Sequence, residues 1–323
     1  MVQTMARTPH PEDGLGAGDA HEVVLGAGVA RRLLFSLDSQ GIDASNIQFV
    51  LRLHRVVIRA YADAGDVAGF EEGADALRQQ LRRARSEAWL AGKARSDAEH
   101  DCRAAIAQGV VSLCTHGRMP RFGIVRAALS YTLRMEARRA DGVAHAEPVL
   151  GVALLPRVAA AQCVAAASRR RARALARVLR KHLERLPIIT DQPSIQHDAG
   201  SLLVEQLACL TSLSERFGPG DRAVARALAV AGCRMLPWSA ATAAEAADAV
   251  LAARNPVAPA DARGLAHAVA SEAWLALGDP GEALRHADAC RRIPLRRLAA
   301  RWDGVPFASE TIGRVRRGIG PGG

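Results

Sequence analysis

Lysine is almost missing from this sequence. Of its 43 basic residues only Lys93 and Lys181 are lysines, and all the others are arginines. A chain rich in arginine, alanine and glycine but poor in lysine is typical of a GC-rich coding sequence. Its formal net charge of +10 therefore does not by itself indicate a polyanionic partner. The charge still favours non-specific attraction to nucleic acid and to anionic surfaces.

Aromatic residues are also scarce, at 4% of the chain, whereas hydrophobic residues as a whole make up 49%. β-Branched and aromatic side chains are enriched in β-sheets, whereas alanine and leucine favour helices that pack closely. At 323 residues the chain is long enough for one large domain or two ordinary ones. The composition therefore predicts an all-α protein whose core consists of alanine, leucine and valine.

The sequence contains no Cys-x-x-Cys pair and no apolar run of the roughly 18 residues that a membrane span needs. Its six cysteines lie mostly within apolar helical patterns, so we interpret them as small buried side chains in a reducing compartment. The first twenty residues lack the apolar segment of a signal peptide. These absences predict a cytoplasmic protein without a transmembrane segment.

Local signatures of common catalytic sites are missing too. There is no His-Glu-x-x-His zinc motif, no phosphate loop ending in Gly-Lys-Ser/Thr and no Gly-x-Ser-x-Gly elbow. The ten histidines are dispersed along the chain. We therefore assign no catalytic, cofactor-binding or metal-binding residue and expect no cofactor. An all-α enzyme is kept as an alternative, because helical enzymes can carry sites that no local motif reveals.

Residues 262–294 carry the clearest local pattern of the chain and predict two helices joined by a tight turn. The bulkiest apolar residues of the first helix recur near a helical period: Leu265, Val269, Trp274 and Leu277. Gly278 suits the left-handed conformation at a helix end, and Asp279 can cap the helix that follows. Ala283 and Ala287 share one side of the second helix, which lets its backbone lie close to the first.

This hairpin resembles a tetratricopeptide repeat, whose unit is a helix pair of about 34 residues. Five residues that pack such a repeat carry the resemblance: Trp274, Gly278, Ala283, Ala287 and Pro294. His267, Ala270 and Ser271 depart from it, because the family usually has a large aromatic, a leucine and a glycine there. The resemblance covers roughly a tenth of the chain. It implies antiparallel hairpins stacked as a short irregular α-solenoid with a concave groove for a protein partner, and a helical bundle is the alternative architecture.

The repeat pattern also implies a buried role for Trp274. We expect its side chain to be packed between the two helices, so that Trp274→Ala would lower stability by about 3–5 kcal/mol. A fainter copy of the turn occurs earlier, where Tyr61, Gly65 and Asp66 repeat the spacing of its aromatic, glycine and aspartate. The two copies are not separated by a whole number of repeat units, so the repeats do not run in unbroken register.

Residues 21–31 superficially resemble the strand and glycine loop of a dinucleotide site. Arg31 stands where a third glycine would let the helix pack on its strand. The following segment, 47–61, reads more readily as a helix than as the second strand that such a fold needs. A helix start or a loop is therefore the competing interpretation of this stretch.

Residues 168–186 are the most highly charged segment and predict an amphipathic helix. On a helical wheel the apolar residues fall on one half: Leu175, Val178, Leu179, Leu183 and Leu186. The other half is a candidate face for an anionic partner: Arg169, Arg170, Arg173, Arg177, Arg180, Lys181 and Arg185. Such a face can bind an acidic protein, follow nucleic-acid phosphates or lie on a membrane surface. The alternative is a solvated outer helix in an arginine-rich protein.

The distribution of polar and proline-containing stretches divides the chain into two helical regions. We expect a flexible leader over 1–20, an N-terminal helical region over 21–187 ending in the basic helix, and a linker over 188–200. A repeat-like helical region over 201–304 and a flexible tail over 305–323 follow. The leading functional prediction is a non-enzymatic scaffold or regulatory protein that binds another protein. The first alternative is a nucleic-acid-associated protein that uses the basic helix.

Overall fold

The structure is a computed structural model that describes residues 17–140, 154–186, 193–253 and 257–318. Within these ranges it contains fourteen α-helices and no β-strand, so the predicted all-α class is confirmed. None of the helices in the described ranges combines the length and the apolar character needed to span a bilayer. The chain forms two compact units, Met1–Ile124 and Val125–Gly323.

The first unit is built from helices that follow one another along the chain: α1 (Ala17–Gln40), α2 (Ile47–Asp63), α3 (Val67–Ser86) and α4 (Gly92–Thr115). Each helix packs against the next, and α2 also packs against α4. Phe70 of α3 is fully buried, and its ring lies against Gly109 of α4, where a Cβ atom would overlap the ring. The fit of the Phe70 ring against Gly109 therefore determines how closely α3 and α4 pack.

Helix α1 runs through residues 21–31, so no strand precedes their glycines and the dinucleotide interpretation is wrong. Glycine within a helix costs only about 1 kcal/mol relative to alanine, and packing against a neighbouring helix can offset that penalty. Ala30 of α1 packs with Leu53 and Val57 of α2. Helix α2 itself covers the segment that the sequence predicted to be helical rather than a second strand.

The second unit contains most of α5 (Phe122–Ala140), within which the division between the units falls. Nine further helices lie in its described residues: α6 (Leu154–Ala165), α7 (Arg169–Leu183), α8 (Pro193–Phe217), α9 (Arg222–Met235), α10 (Ala240–Leu251), α11 (Ala260–Ala276), α12 (Pro280–Arg292), α13 (Leu295–Trp302) and α14 (Pro306–Arg317). From α6 onward, helices pack mainly on the next helix and on the next but one. Helix α14 departs from this order, because it also packs against α9 and α11.

Helix α9 forms the centre of the second unit. It packs against α7, α8, α10, α11 and α14, and every residue from Ala227 to Met235 is buried. Apart from Arg234, these buried residues are alanine, glycine, valine, leucine, cysteine and methionine. The core is therefore built from the small and aliphatic side chains that the composition predicted.

The same helix-ending turn occurs in both units. Gly65 has a backbone φ of +68° and Gly278 has a φ of +84°. After each glycine, the aspartate N–H donates to the carbonyl oxygen five residues back, at 2.8 Å from Asp66 and at 2.9 Å from Asp279. Each aspartate side chain then caps the next helix by accepting from the backbone N–H three residues further on. The two turns predicted from their common spacing are confirmed, because glycine adopts a positive φ without strain.

The predicted hairpin is formed by α11 and α12, but the structure does not bury Trp274 in its core. Trp274 is only partly buried, and Leu277 is 46% exposed. Small groups lie at the crossing instead, where the Ser271 hydroxyl donates to the Ala283 carbonyl oxygen at 2.9 Å. Trp274 is therefore not the buried residue that the repeat pattern implied.

The other residues of the repeat pattern surround this crossing. Ala283 and Ala287 are buried on α12, as their spacing predicted. Gly278 is exposed at the turn, and Pro294 is exposed directly before α13. The helix pair is therefore observed, while its kinship to a repeat family stays a prediction.

The predicted linker and its boundary differ from the structure. Residues 193–200 belong to α8, while residues 187–192 lie outside the described residues. Proline can open a helix because its missing N–H would have no partner there, so Pro193 begins α8 instead of ending an element. The basic helix α7 packs against α8 and α9, and it therefore belongs with the C-terminal helices.

The predicted ends of the chain are corrected as well. Helix α1 begins at Ala17, within the expected leader, and residues 1–16 lie outside the described residues. Helix α14 occupies most of the expected tail and buries Phe307, Ile312 and Val315. The flanks of this short segment are rich in glycine, which favours a flexible tail. Burial of its apolar stripe nevertheless stabilises the helix.

Candidate anionic-partner face

Helix α7 is amphipathic, as predicted, and its apolar side lies in the core of the second unit. Ser168 caps its start, because the Ser168 hydroxyl oxygen accepts a hydrogen bond from the Arg171 backbone N–H at 3.4 Å. Buried residues line one side of the helix: Ala172, Leu175, Ala176, Leu179 and Leu183. Helix α7 packs against α6, α8 and α9. This packing fixes the direction in which the opposite, basic side points.

Five of the seven predicted basic residues are exposed and form no ion pair with a described residue: Arg169, Arg170, Arg177, Lys181 and Arg185. The first four lie on α7 itself, and we call them the α7 face. At 100° and 1.5 Å per residue, they occupy about a third of the helix circumference over roughly 18 Å of its length. None of the four is within ion-pair distance of a described carboxylate, although Glu184 lies close enough to Lys181 for their charges to interact.

The other two predicted residues are engaged within the protein. Arg173 Nε donates to Asp221 Oδ2 at 2.7 Å, and Asp221 is buried at the start of α9. Arg180 lies 3.5 Å from Glu184, which also receives a hydrogen bond from Arg301 of α13 at 3.0 Å. Arg173 ties α7 to the start of α9, and Arg180 pairs with Glu184 at the end of α7 itself, so both are removed from the candidate face.

A second arginine–aspartate ion pair, like that of Arg173 and Asp221, joins α9 to α11. Arg226 Nε of α9 donates to Asp261 Oδ2 of α11 at 2.7 Å, as Arg173 of α7 does to Asp221. The partners are 48 residues apart in the first pair and 35 in the second. Sequence reasoning missed both pairs, because no local spacing indicates which arginine reaches which aspartate. Helices α7, α9 and α11 are thus joined in succession by equivalent contacts.

A buried polar cluster lies against the C-terminal end of α7. His182 is 4% exposed, and its Nδ1 lies 2.9 Å from the side-chain nitrogen of the fully buried Gln206. Arg234 of α9 is buried too, and its Nε donates to the Leu183 carbonyl oxygen at 2.8 Å. Its guanidinium carbon lies 3.7 Å from the centre of the Phe307 ring. Burial lowers the pKa of Arg234 to about 10, which still leaves a cation at neutral pH beneath the helix that carries the α7 face.

Acid is expected to destabilise the second unit through His182. Burial lowers the pKa of this imidazole from its ordinary 6.5 to about 4, and Arg234 and Arg185 act in the same direction. Between these values the unfolded chain binds a proton that the folded chain does not. The stabilisation is therefore complete above about pH 6.5 and is lost as the pH falls toward 4. At about 1.4 kcal/mol for each tenfold change in an equilibrium constant, the loss is roughly 3 kcal/mol.

Urea denaturation at a series of pH values checks this expectation. Burial also lowers the pKa of His267 to about 4, so the wild-type protein should show acid sensitivity from both histidines. His182→Gln should lose the His182 part, roughly half of it. His116→Gln is the matched control, because His116 is exposed, and it should keep the full acid sensitivity of the wild type. Equal acid sensitivity in His182→Gln and the wild type would contradict the assignment to His182.

The cysteines supply no activated nucleophile. All six are free, and five are buried, which confirms their predicted role as small core side chains. Burial raises the pKa of Cys102 to about 11. Cys102 lines a cavity of about 480 Å³ between α2 and α4, next to an ion pair in which Arg55 Nη1 and Asp101 Oδ2 are 2.5 Å apart. Its thiol stays protonated at neutral pH, whereas a reactive cysteine needs a lowered pKa.

Potential metal ligands do not cluster in the described residues. Within them, no group of three or more histidine, cysteine, aspartate or glutamate side chains is placed to hold a metal ion. The polar chemistry of the second unit is instead dominated by arginine, on the α7 face and in the ion pairs that join its helices.

No family model, curated protein or solved structure matches this chain. The likeness of residues 262–294 to a tetratricopeptide repeat is therefore carried forward as a prediction. The α7 face and the packing order of the helices are the observations from which a function can be inferred.

Proposed function

We propose that this protein is a non-enzymatic binding protein, a short irregular α-solenoid that docks an acidic segment of a protein partner on the α7 face. The observation that carries the proposal is a strip of four exposed cations without a described carboxylate partner. Uncompensated charge of one sign draws in an oppositely charged partner and speeds association. An acidic segment would supply the carboxylates that the strip lacks.

Arginine-rich composition alone does not account for this strip. Elsewhere in the second unit, arginines commonly pair with carboxylates: Arg157 with Glu205, Arg226 with Asp261, Arg285 with Glu282, Arg291 with Asp288 and Arg314 with Glu272. Other exposed arginines of the unit also form no ion pair with a described residue, among them Arg216, Arg292, Arg296 and Arg297. What distinguishes the α7 face is that four such cations lie on one side of a single helix, and this clustering is the feature that favours recognition over a merely solvated helix.

The packing order supports the solenoid part of the proposal. In stacked helical repeats each unit contacts mainly its neighbours, so contacts stay close to the chain order. Helices α6 to α12 pack largely on the next helix and the next but one, and equivalent ion pairs join α7 to α9 and α9 to α11. Helix α14 then packs across α9, α11 and α12, in the manner of a cap at the end of a stack.

Duplex nucleic acid is the alternative occupant of the α7 face, because guanidinium groups also bind phosphates. Single-stranded nucleic acid is disfavoured, since α7 carries no aromatic side chain on which bases could stack. Stacked helical repeats present extended surfaces suited to polypeptide segments. An acidic protein segment is therefore the partner that we propose.

Neutralising the α7 face should weaken binding to an acidic helix by roughly 30-fold. The variant combines Arg169→Gln, Arg170→Gln, Arg177→Gln and Lys181→Gln. At about 0.5 kcal/mol for each exposed ion pair, four pairs contribute about 2 kcal/mol, and 1.4 kcal/mol corresponds to a tenfold change. Fluorescence anisotropy with a helical glutamate-rich peptide of about 20 residues, long enough to cover the face, measures the change. The melting temperature should stay the same, because exposed substitutions away from packed sites change stability little.

A matched control removes the same amount of charge elsewhere. It replaces four exposed arginines that form no ion pair with a described residue: Arg82, Arg118, Arg126 and Arg216. Equal loss of affinity in both variants would mean that the peptide responds to net charge, and the proposal would fail. Tighter binding of duplex DNA than of the peptide, lost in the α7 variant alone, would replace the protein partner with nucleic acid.

A further inference from the structure

Helices α11, α12 and α13 of the second unit surround a separate cavity of about 390 Å³. Its polar lining consists of Arg263 and His267 from α11, Arg292 from α12 and Arg297 from α13. The remaining lining is apolar: Ala260, Ala289, Ile293 and Pro294. No described carboxylate lines the cavity, so its polar wall is basic throughout.

None of the three arginines in this lining forms an ion pair with a described residue. Arg292 and Arg297 are exposed, whereas Arg263 is half-buried and its Nε is shielded from water without a hydrogen-bond partner. A guanidinium group offers five N–H donors, has no acceptor and stays protonated in proteins. A buried donor without a partner is destabilising, and a bound acceptor would remove that penalty.

A hydrogen-bond relay sets the position of the proton on His267. Arg285 Nη2 lies 2.9 Å from His286 Nε2, and because a guanidinium can only donate, this ring nitrogen must accept. Neutral His286 then carries its proton on Nδ1, which lies 3.1 Å from His267 Nδ1 and donates to it. Neutral His267 therefore carries its own proton on Nε2, the nitrogen on the far side of its ring from this contact.

His267 is in the neutral form that this relay requires. Burial lowers the pKa of His267 to about 4, and protonation of His286 in acid and the charges of Arg263 and Arg285 act in the same direction. Burial also lowers the pKa of His286. At neutral pH His267 thus presents an Nε2–H donor, and its one acceptor, Nδ1, is occupied by His286. All four polar side chains around the cavity therefore have hydrogen-bond donors but no free acceptor.

We propose that this cavity binds a small phosphate-bearing anion. Phosphate oxygens accept several hydrogen bonds at once and match the forked donors of arginine. Three guanidinium groups and an imidazole N–H exceed what a single carboxylate can satisfy. The volume lies at the lower end of the range found for small-molecule pockets. This site is formed by other residues than the α7 face, so the two proposals stand or fall separately.

Isothermal titration of the full-length protein with inorganic pyrophosphate tests the site. Arg297→Gln and Arg263→Gln should each weaken binding by roughly tenfold, because each removes charge-assisted hydrogen bonds. Arg296→Gln is the matched control: Arg296 neighbours Arg297 on α13 and is exposed, but it does not line the cavity. The control should bind pyrophosphate as the wild type does, and so should the quadruple α7 variant.

Two further probes define the ligand class. Citrate should bind at least tenfold more weakly than pyrophosphate, and equal binding would overturn the assignment to phosphate. Vesicles that carry phosphatidylinositol bisphosphate distinguish a lipid headgroup from a soluble compound, since only a lipid ligand would give vesicle binding that Arg297→Gln weakens. Absence of pyrophosphate binding, or equal losses in Arg297→Gln and Arg296→Gln, would overturn the proposal.

Discussion

Trp302→Ala is expected to lower the free energy of unfolding of the second unit by about 3–5 kcal/mol. Trp302 is among the largest fully buried side chains, at 1% exposure, and its indole Nε1 donates to the Asp261 carbonyl oxygen of α11 at 3.1 Å. One turn earlier on α13, Leu298 packs against Gly264 of α11, where a Cβ atom would overlap its side chain. Loss of the indole would leave a cavity between α13 and α11 and remove this hydrogen bond. Urea denaturation, with hydrogen exchange of the α11 and α13 amides, measures the effect.

Trp274→Ala is the matched control for this substitution. Trp274 is only partly buried, at the end of α11, so its removal should cost on the order of 1 kcal/mol. Trp302→Phe keeps most of the apolar volume and removes the hydrogen bond, so it should fall between the two alanine variants. A loss for Trp274→Ala as large as that for Trp302→Ala would show that the aromatic of the hairpin is a core residue after all.

Phe70→Ala is expected to destabilise the first unit by about 3–5 kcal/mol, for a related reason. Phe70 is fully buried, and its ring fills the space above Gly109, so alanine would leave a cavity between α3 and α4. The same contact makes Gly109 intolerant of a side chain. Gly109→Ala should cost about 1–3 kcal/mol through overpacking. Urea denaturation with hydrogen exchange of the α3 and α4 amides follows both changes.

The double variant Phe70→Ala/Gly109→Ala tests whether the cost of Gly109→Ala comes from its contact with the Phe70 ring. In the Phe70→Ala background the ring is gone, so adding Gly109→Ala should cost less than it does in the wild type. Gly123→Ala serves as a control, because a Cβ atom there meets no other group within 4 Å. Simple additivity of the Phe70 and Gly109 effects would contradict the proposed contact.

The sequence predicted those features that depend on neighbours along the chain. Gly278 and Asp279 identify their turn because a positive φ and a helix cap are local requirements. The amphipathic character of α7 follows from its own period of apolar residues. Trp274 was overvalued and Trp302 was missed, because burial of an indole depends on which helix packs against it. That choice is made by contacts between α11 and α13.

In the candidate sites, too, local sequence predicted some features, while tertiary packing determined the others. The basic side of α7 was predicted from its wheel, yet only the structure distinguishes the exposed Arg177 from Arg173, which Asp221 engages. The cavity between α11, α12 and α13 gave no signal in the sequence. Its side chains come from three helices, and Arg263 and Arg297 are brought together only by tertiary packing.

The most direct test of the proposed function is a nuclear magnetic resonance titration that observes arginine side-chain Nε–H signals while the glutamate-rich peptide is added. Arg169, Arg170 and Arg177 are expected to shift with peptide concentration. Arg82, Arg118, Arg126 and Arg216, which are exposed elsewhere, should stay unchanged. Equal shifts in both sets, or shifts confined to the second set, would contradict docking on the α7 face.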